Sequence, residues 1–275
     1  MGQHSSRQLA RAAARVLERG GVAALATLVE GAEGVEGPRG VGAKLLVEES
    51  GAVLAGTTGD AALDAGIAAH APAFLASRAE AATVRLEEFA PALGEWAGAR
   101  VLFERVEPEP RVVVCGAGHV GAALARLSAL AGYRVTLIDD RADFVARSRF
   151  PDEDVELVAA EEWEGPVRRA IGVGRGVYAA VVTRGHKEDE ECMRAVLASR
   201  PDYVGMIGSR RRTNIVLARL RESGFAEELL REVRAPVGLD LGAVTPEEVA
   251  LAILAEIVAL RRGGTGAPLS AWRRE

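Results

Sequence analysis

The chain has 275 residues, of which 49% are hydrophobic and 4% aromatic, and its formal net charge is −5. This length accommodates one large or two modest domains with aliphatic cores, and the acidic balance argues against a nucleic-acid binder, which needs a basic face. No apolar run reaches the roughly 18 residues that a membrane span needs, and no apolar signal-peptide core follows the N-terminus, so we expect a cytoplasmic protein without membrane contact.

The first 107 residues predict a small α+β domain. Residues 8–19 read as an amphipathic helix that ends at a glycine pair, and a loop rich in glycine and proline covers residues 31–42. The predicted strands and second helix are a strand at 22–30, a hairpin at 44–48 and 52–56, a helix at 60–77, and strands at 82–89 and 100–106. The segment Glu107-Pro-Glu-Pro110 breaks regular structure, so we predict domains at 1–107 and 108–275.

From residue 111 onward, strands and helices alternate. Strands are predicted near 111–115, 134–138, 155–158, 177–182 and 202–207, and helices near 119–131, 142–148, 162–170, 187–199 and 210–222. A last helix starts at Thr245-Pro246-Glu247-Glu248, which has the pattern of a capping box. The alternation predicts an α/β fold with a Rossmann-like, doubly wound parallel sheet, preceded by the smaller α+β domain.

A glycine-rich turn follows the first of these strands. Gly116, Gly118 and Gly121 have the G-x-G-x-x-G spacing, and a second strand ends at Asp139 and Asp140. In a nucleotide-binding βαβ unit, the first glycine permits the tight turn, the second lets a pyrophosphate approach the backbone, and the third lets helix and strand pack closely. The helix N-terminus attracts an anion, and the acid after the second strand can hold a hydroxyl group of the ligand.

Polar residues follow four of the predicted strands, and ligands of open α/β sheets bind beyond the carboxyl ends of the strands. Arginines beside a helix N-terminus suit phosphate, so the sequence predicts a ligand with more than one anionic group. The predicted binding residues are Gly116, Gly118, His119 and Gly121 after the first strand, Asp139 and Asp140 after the second, Thr183, Arg184 and His186 after the fourth, and Gly208, Ser209, Arg210 and Arg211 after the fifth.

Structural interpretations of the same residues remain open. Arg210–Arg212 could be a solvated helix start, and His119 and His186 could be structural. His186 and Glu190 have metal-ligand spacing, but without a third ligand we predict no metal and interpret residues 186–191 as a solvated acidic helix start. Cys115 and Cys192 are too distant in sequence to indicate a disulfide framework, and we expect both thiols to be buried and unreactive.

Five stretches in this order resemble the XdhC/CoxI family, the xanthine dehydrogenase accessory factors. They are Cys-Gly-Ala-Gly-His-Val (115–120), Gly-Tyr-Arg-Val-Thr-Leu-Ile-Asp-Asp-Arg (132–141), Val-Val-Thr-Arg-Gly-His (181–186), Tyr-Val-Gly-Met-Ile-Gly-Ser-Arg-Arg-Arg (203–212) and Ala-Pro-Val-Gly-Leu-Asp-Leu-Gly-Ala-Val-Thr-Pro-Glu-Glu-Val-Ala (235–250). The resemblance implies an accessory protein, a chaperone more than an enzyme with turnover. Such a protein binds molybdenum cofactor (molybdopterin) as cargo and assists its sulfuration or its insertion into a xanthine dehydrogenase-like molybdenum hydroxylase apoenzyme.

The resemblance also implies a cysteine desulfurase partner and a homodimer. The N-terminal domain departs from the family pattern, because Gly56-Thr-Thr-Gly-Asp60 stands where the family has Ser-Gly-Gly-Cys. The absent thiolate weakens the expectation of cysteine-based cofactor chemistry in this chain. We expect this domain to cover the strand ends, with Arg39 and Lys44 as contacts.

Two other functions remain open for the glycine-rich turn. An oxidoreductase that binds NAD(P) is consistent with the turn and Asp139, although no catalytic Lys/Tyr pair is evident and no catalytic residue is assigned. A nucleotide-sensing regulatory module would have the same fold without turnover. Tight binding of NAD(H) with hydride transfer would favour the first, and nucleotide binding that alters assembly would favour the second.

Overall fold

The computed structural model describes residues 2–32, 40–151 and 154–270, with the backbone alone for residues 2–5. The chain forms two compact units, Met1–Pro108 and Glu109–Glu275. Within the described residues, no helix has the length and apolar character needed to cross a membrane.

The N-terminal unit is a five-stranded antiparallel sheet with a helix packed against it. Helix α1 (Gly2–Glu18) precedes strands β1 (Ala23–Glu30), β2 (Lys44–Glu48) and β3 (Val53–Gly56), and α2 (Ala61–Ala76) leads to β4 (Ala81–Arg85), α3 (Leu86–Phe89) and β5 (Arg100–Val106). The strand order is β3-β2-β1-β5-β4. The core side chains are mainly aliphatic, with Phe74, Trp96 and Phe103 among them.

The C-terminal unit is a five-stranded parallel sheet, so the predicted doubly wound architecture is confirmed. Its elements are β6 (Arg111–Cys115), α4 (His119–Leu130), β7 (Arg134–Asp139), β8 (Val155–Ala159), α5 (Glu164–Ile171), β9 (Val177–Val181), α6 (His186–Ser199), β10 (Tyr203–Met206), α7 (Arg210–Glu222), α8 (Glu227–Arg231) and α9 (Pro246–Arg262). The strand order β10-β9-β6-β7-β8 is that of a Rossmann sheet, with β6 in the middle.

Each face of this sheet has its own hydrophobic core. Helices α4 and α9 pack together on one face, where Leu124 and Ile253 are fully buried with Val112 and Leu137 of the sheet. Residues of α5, α6, α7 and α8 form the core on the other face, around Val113 and Ile138. Because both faces are covered, the strands are almost continuously apolar, which leaves polar chemistry to the loops at their ends.

Three local predictions differ from the structure. The strand predicted at 82–89 ends at Arg85, because Leu86–Phe89 turns into a helix whose Glu87 carboxylate accepts the backbone N–H of Gly98 at 2.8 Å. The helix predicted at 142–148 is only the 3-10 turn Ala142–Val145, and the Arg149 guanidinium donates to the Phe144 carbonyl where a longer helix would continue. Helix α8 was not predicted.

Candidate functional site

The carboxyl ends of β6 and β9 flank the point where the chain reverses its direction of winding through the sheet. The chain proceeds from β6 to β7 and β8 on one side, then returns through α5 to β9 on the other side of β6. Ligands of open α/β sheets bind in the crevice at such a switch point. The loops at 116–118 and 182–185 are therefore the walls of the candidate site.

The three glycines of the first loop occupy different environments. Gly116 has φ +112°, and a Cβ there would lie 2.6 Å from the Val182 carbonyl oxygen. A Cβ on Gly121 would lie 1.8 Å from the Gly116 carbonyl oxygen, so the helix packs directly on the turn. At Gly118, by contrast, a Cβ would meet no atom within 4 Å. The first and third glycines serve the fold, and Gly118 leaves open space beside the backbone.

The backbone beyond Gly118 has hydrogen-bond donors to offer. Ala122 is the first residue of α4 that donates a helical hydrogen bond, to the Gly118 carbonyl at 2.8 Å. The N-cap Gly118 has no side chain to cap the helix, so the N–H groups of His119, Val120 and Gly121 have no helical acceptor. Such uncapped donors at a helix N-terminus favour an anion.

Asp139 is buried and holds the glycine loop in place. Its carboxylate accepts the Ala117 backbone N–H at 2.6 Å and the Arg141 backbone N–H at 2.9 Å. The Arg141 guanidinium donates to both oxygens of the same carboxylate, at 2.8 and 2.9 Å. The Asp139 side chain is thus engaged by protein groups, whereas the sequence predicts a contact with a ligand hydroxyl. That contact stays a prediction.

Burial acts to raise the pKa of Asp139, but the hydrogen bonds from Arg141 and Ala117 outweigh it and lower this pKa below the usual value of 3.8. A carboxylate whose pKa is lower in the folded chain stabilises the fold at pH values above its unfolded pKa. That stabilisation is lost as the pH falls through the lower, folded value.

We therefore expect Asp139→Asn to lower the free energy of unfolding by a constant amount above about pH 5, with the difference from wild type shrinking as the pH drops below about 4. Urea unfolding at a series of pH values measures this. Asp143→Asn, which changes an exposed acid of the next turn, is the control and should be neutral throughout. A pH-independent deficit for Asp139→Asn would contradict the assignment.

An ion pair crosses the sheet above the glycine loop. Arg184, after β9, makes a two-pronged contact with Asp140, after β7, at 2.8 and 2.7 Å. Strand β6 lies between those two strands, so the pair spans the end of the strand that carries the glycine loop. Glu188 lies 3.6 Å from the same guanidinium. The predicted residues Asp140 and Arg184 are therefore brought together and neutralise each other.

A second polar cluster lies beneath the surface loops. Asp189 is fully buried and accepts the Thr183 hydroxyl at 2.5 Å and the Arg212 side-chain Nε at 2.5 Å. Arg212 also donates to the Thr183 carbonyl at 3.2 Å. The cluster ties the ends of β9 and β10 together and leaves the Thr183 hydroxyl engaged. The interpretation of residues 186–191 as a solvated helix start is wrong for Asp189.

The helix start after β10 leaves its first two arginines exposed. Arg210 and Arg211 form no ion pair or hydrogen bond with the described residues. The Ser209 hydroxyl caps α7 by accepting the Arg212 backbone N–H at 3.3 Å. Gly208, Ser209, Arg210 and Arg211 thus lie at the same sheet edge as the glycine loop, two strands away, or about 10 Å at the usual strand spacing.

Helices α4, α6 and α7 start with His119, His186 and Arg210, and all three side chains are exposed. Helix N-termini ordinarily favour acidic residues, because the helix dipole is positive there. Residues able to carry positive charge at three such positions on one edge add to that dipole field. The arrangement attracts anions, and no cluster of three metal-ligating side chains occurs within the described residues.

Both cysteines are free and buried, as predicted. Burial raises the pKa of the Cys192 thiol well above its usual value, and contact with Cys115 raises it further. The two thiols are neighbours in the structure, which their sequence positions did not indicate. A buried thiol with a raised pKa is a poor nucleophile.

In the N-terminal unit, the residues that replace the family cysteine stabilise a helix. The Thr57 and Thr58 hydroxyls each donate to Asp64 at 2.6 Å. Asp60 caps α2 by accepting the N–H groups of Ala62 and Leu63. The Lys44 ammonium donates to Thr27 at 2.9 Å. Arg39 lies outside the described residues.

The strand order, the glycine turn and the three helix N-termini define a Rossmann-type domain with an edge suited to phosphate-bearing ligands. A family model described as the XdhC Rossmann domain matches residues 112–257, which is more than half of the chain. The chain belongs to the XdhC family.

Three curated proteins have related sequences. An uncharacterized protein YqeB of Escherichia coli K12 is 32% identical over 157 residues (57% of this chain, 28% of YqeB). A probable xanthine dehydrogenase component of Bacillus subtilis 168 is 29% identical over 162 residues (59% of this chain, 46% of that protein). The molybdenum cofactor insertion chaperone PaoD of E. coli K12 is 35% identical over 69 residues (25% and 22%). The matches span less than half the length of these relatives.

A solved structure has the same fold. The crystal structure of a xanthine dehydrogenase from Bacillus halodurans superposes with a TM-score of 0.62 at 19% identity. The superposition covers 95% of this chain and 67% of the other. At this identity, the likeness concerns the fold alone.

Proposed function

We propose that this chain is a molybdenum-cofactor accessory protein that binds the cofactor as cargo and assists its sulfuration or insertion into a xanthine dehydrogenase-type hydroxylase. The observation that carries the proposal is the anion-attracting edge formed by the starts of α4, α6 and α7. A molybdopterin bears a phosphate, or a pyrophosphate in its dinucleotide forms, and this edge offers more than one place for it. Family membership and the name of PaoD support the same function.

In this proposal the site residues have distinct roles. The backbone N–H groups at the start of α4 bind one phosphate, and the space at Gly118 admits it. Arg210 and Arg211 bind a second anionic group, since both are exposed and unpaired among the described residues. His119 and His186 donate hydrogen bonds to the cargo. Asp139 and Thr183 support the two loops through the contacts described above.

The proposal also assigns partners. The client is a molybdenum hydroxylase apoenzyme, and a cysteine desulfurase supplies the sulfur. This division of labour agrees with the chemistry of the described cysteines, because both are buried and the pKa of Cys192 is raised. Residues 56–60 contain no thiol, and their side chains are used to cap α2. We propose that the chain contributes binding and positioning, and not a sulfur-carrying cysteine.

Binding of NAD(P) for hydride transfer is the alternative use of the same fold. In that function, the acid after β7 holds ribose hydroxyls. Here Asp139 accepts hydrogen bonds from the protein, and Asp140 is paired with Arg184. Both acids would have to leave their protein partners first, which weighs against a dinucleotide in the usual position.

The test is a titration of the purified protein with molybdopterin cofactor. We expect wild type to retain the cofactor and Arg210→Ala to bind it about tenfold more weakly, because one charge-assisted contact of about 1.5 kcal/mol is lost. Arg169→Ala is the matched control, since Arg169 is exposed near the end of α5, at the opposite edge of the sheet. The control should bind as wild type does.

A parallel titration with NAD(H) separates the two functions. Retention of the cofactor without NAD(H) binding supports the proposed function. Failure of wild type to retain the cofactor would overturn it, as would equal losses in Arg210→Ala and Arg169→Ala. Tight binding of NAD(H) with hydride transfer to small carbonyl compounds would establish the oxidoreductase instead.

A further inference from the structure

The outward face of helix α9 carries an apolar stripe. The opposite face of the helix is buried in the core through Ala250, Ile253, Leu254 and Ile257. On the outward face, Leu251 is 51% exposed and Val258 is 39% exposed. We call α9 stripe the row of residues at spacings of three and four along this face: Glu247, Leu251, Ala255, Val258 and Arg262.

A surface helix ordinarily presents charged and polar residues to solvent along its outer face. In the α9 stripe the charges occur only at the two ends, and the middle is aliphatic. Val244, 86% exposed, extends the same face by one turn before the helix. Adjacent exposed aliphatic side chains of this kind mark an interaction surface more often than isolated ones do.

The stripe is self-complementary. Glu247 and Arg262, like Leu251 and Val258, lie at equal distances on either side of the Leu254–Ala255 peptide bond. Two such helices packed antiparallel about a twofold axis at that bond would place Leu251 of each copy against Val258 of the other. The same axis would place Glu247 of each copy near Arg262 of the other, at both ends of a contact about 22 Å long.

We propose that the α9 stripe is the interface of a homodimer, and that its occupant is the antiparallel α9 of a second copy of this chain. The charge pattern favours a second copy over an unrelated protein, because the acidic end of the stripe matches its own basic end only when the helix is reversed. This inference deepens the dimer expected of an accessory protein. It is tested without cofactor, so its failure and the failure of cofactor binding are distinguishable.

The first experiment is sedimentation equilibrium of the full chain at micromolar concentrations. We expect a wild-type dimer, and Leu251→Asp should weaken association by at least tenfold because it buries a carboxylate in the aliphatic centre of the contact. Val173→Asp is the control, since Val173 is 56% exposed but lies after α5, and should associate as wild type does. Circular dichroism verifies that both variants are folded.

The second experiment exchanges the charges at the ends of the stripe. Glu247→Arg and Arg262→Glu should each weaken the dimer, because each creates like-charge contacts at both ends. The double variant, which reverses both charges, should restore association toward the wild-type value. A merely structural role for either residue would not produce this rescue.

The third experiment tests the axis. Ala255→Cys places a thiol beside its own copy, so it should form an intermolecular disulfide under a mild oxidant, and adding Leu251→Asp should suppress it. A wild-type monomer at 100 micromolar would overturn the inference, as would a dimer indifferent to Leu251→Asp and to the charge exchange. So would a stripe that binds only the hydroxylase client while the chain stays monomeric.

Discussion

Gly118→Val is expected to abolish binding of pyrophosphate, with a dissociation constant raised roughly 100-fold, while the chain remains folded. The backbone of Gly118 has φ −65°, which valine accepts, and a Cβ there meets no atom within 4 Å. The side chain would therefore enter open space beside the start of α4. That is the space where we place the phosphate, so the isopropyl group would exclude it.

The measurement is isothermal titration calorimetry with inorganic pyrophosphate, which does not depend on the identity of the whole cofactor. Gly94→Val is the matched control, because a Cβ at Gly94 also meets no atom within 4 Å and this glycine lies in the N-terminal unit. Gly121→Ala should instead disrupt the fold, since its Cβ would collide with the Gly116 carbonyl. Wild-type affinity in a folded Gly118→Val would refute the placement of the ligand.

Asp189→Ala is expected to destabilise the C-terminal unit by about 3–5 kcal/mol, the usual cost of breaking a buried ion pair by removing one partner. Its carboxylate is fully buried and joins Thr183 to Arg212. Removal leaves the Arg212 guanidinium, which is 20% exposed, without its counter-charge. Hydrogen exchange measured by mass spectrometry on β9 and β10 peptides would report the loss for this unit alone.

Two further variants identify the cause. Glu191→Ala removes an acid two residues away, whose nearest cation is Lys187 at 3.9 Å, and should cost less than about 1 kcal/mol. The double variant Asp189→Leu with Arg212→Met removes both charges and should be more stable than Asp189→Ala. If Asp189→Ala behaved like Glu191→Ala, the cluster would not stabilise the unit.

The architecture of the C-terminal unit could be predicted because each of its signals is local. The β6 strand, the start of α4 at His119 and the capping box at Thr245 all depend on neighbouring residues. Helix α8 was missed because its five residues, Glu227–Arg231, contain too little periodicity. The turn at Ala142–Val145 was overestimated because an arginine side chain captures a carbonyl that a helix would use.

Within the candidate site, composition and spacing indicated which residues gather at the sheet edge but not how they pair. The contacts of Asp139 with Arg141, and of Asp140 with Arg184, depend on side-chain directions that the sequence does not contain. The burial of Asp189 was predictable in principle. It shares the helical spacing of Cys192, Met193 and Val196, which form the buried face of α6, and that spacing was the overlooked signal.

The pairing of Arg184 with Asp140 has a consequence for any anionic cargo. A carboxylate already occupies the guanidinium, so an incoming phosphate competes with a group of the protein itself. The exchange of one anion for another makes capture less favourable than at a bare arginine, and it makes departure easier by the same amount. For a protein that must surrender what it carries, such a built-in rival suits delivery better than storage.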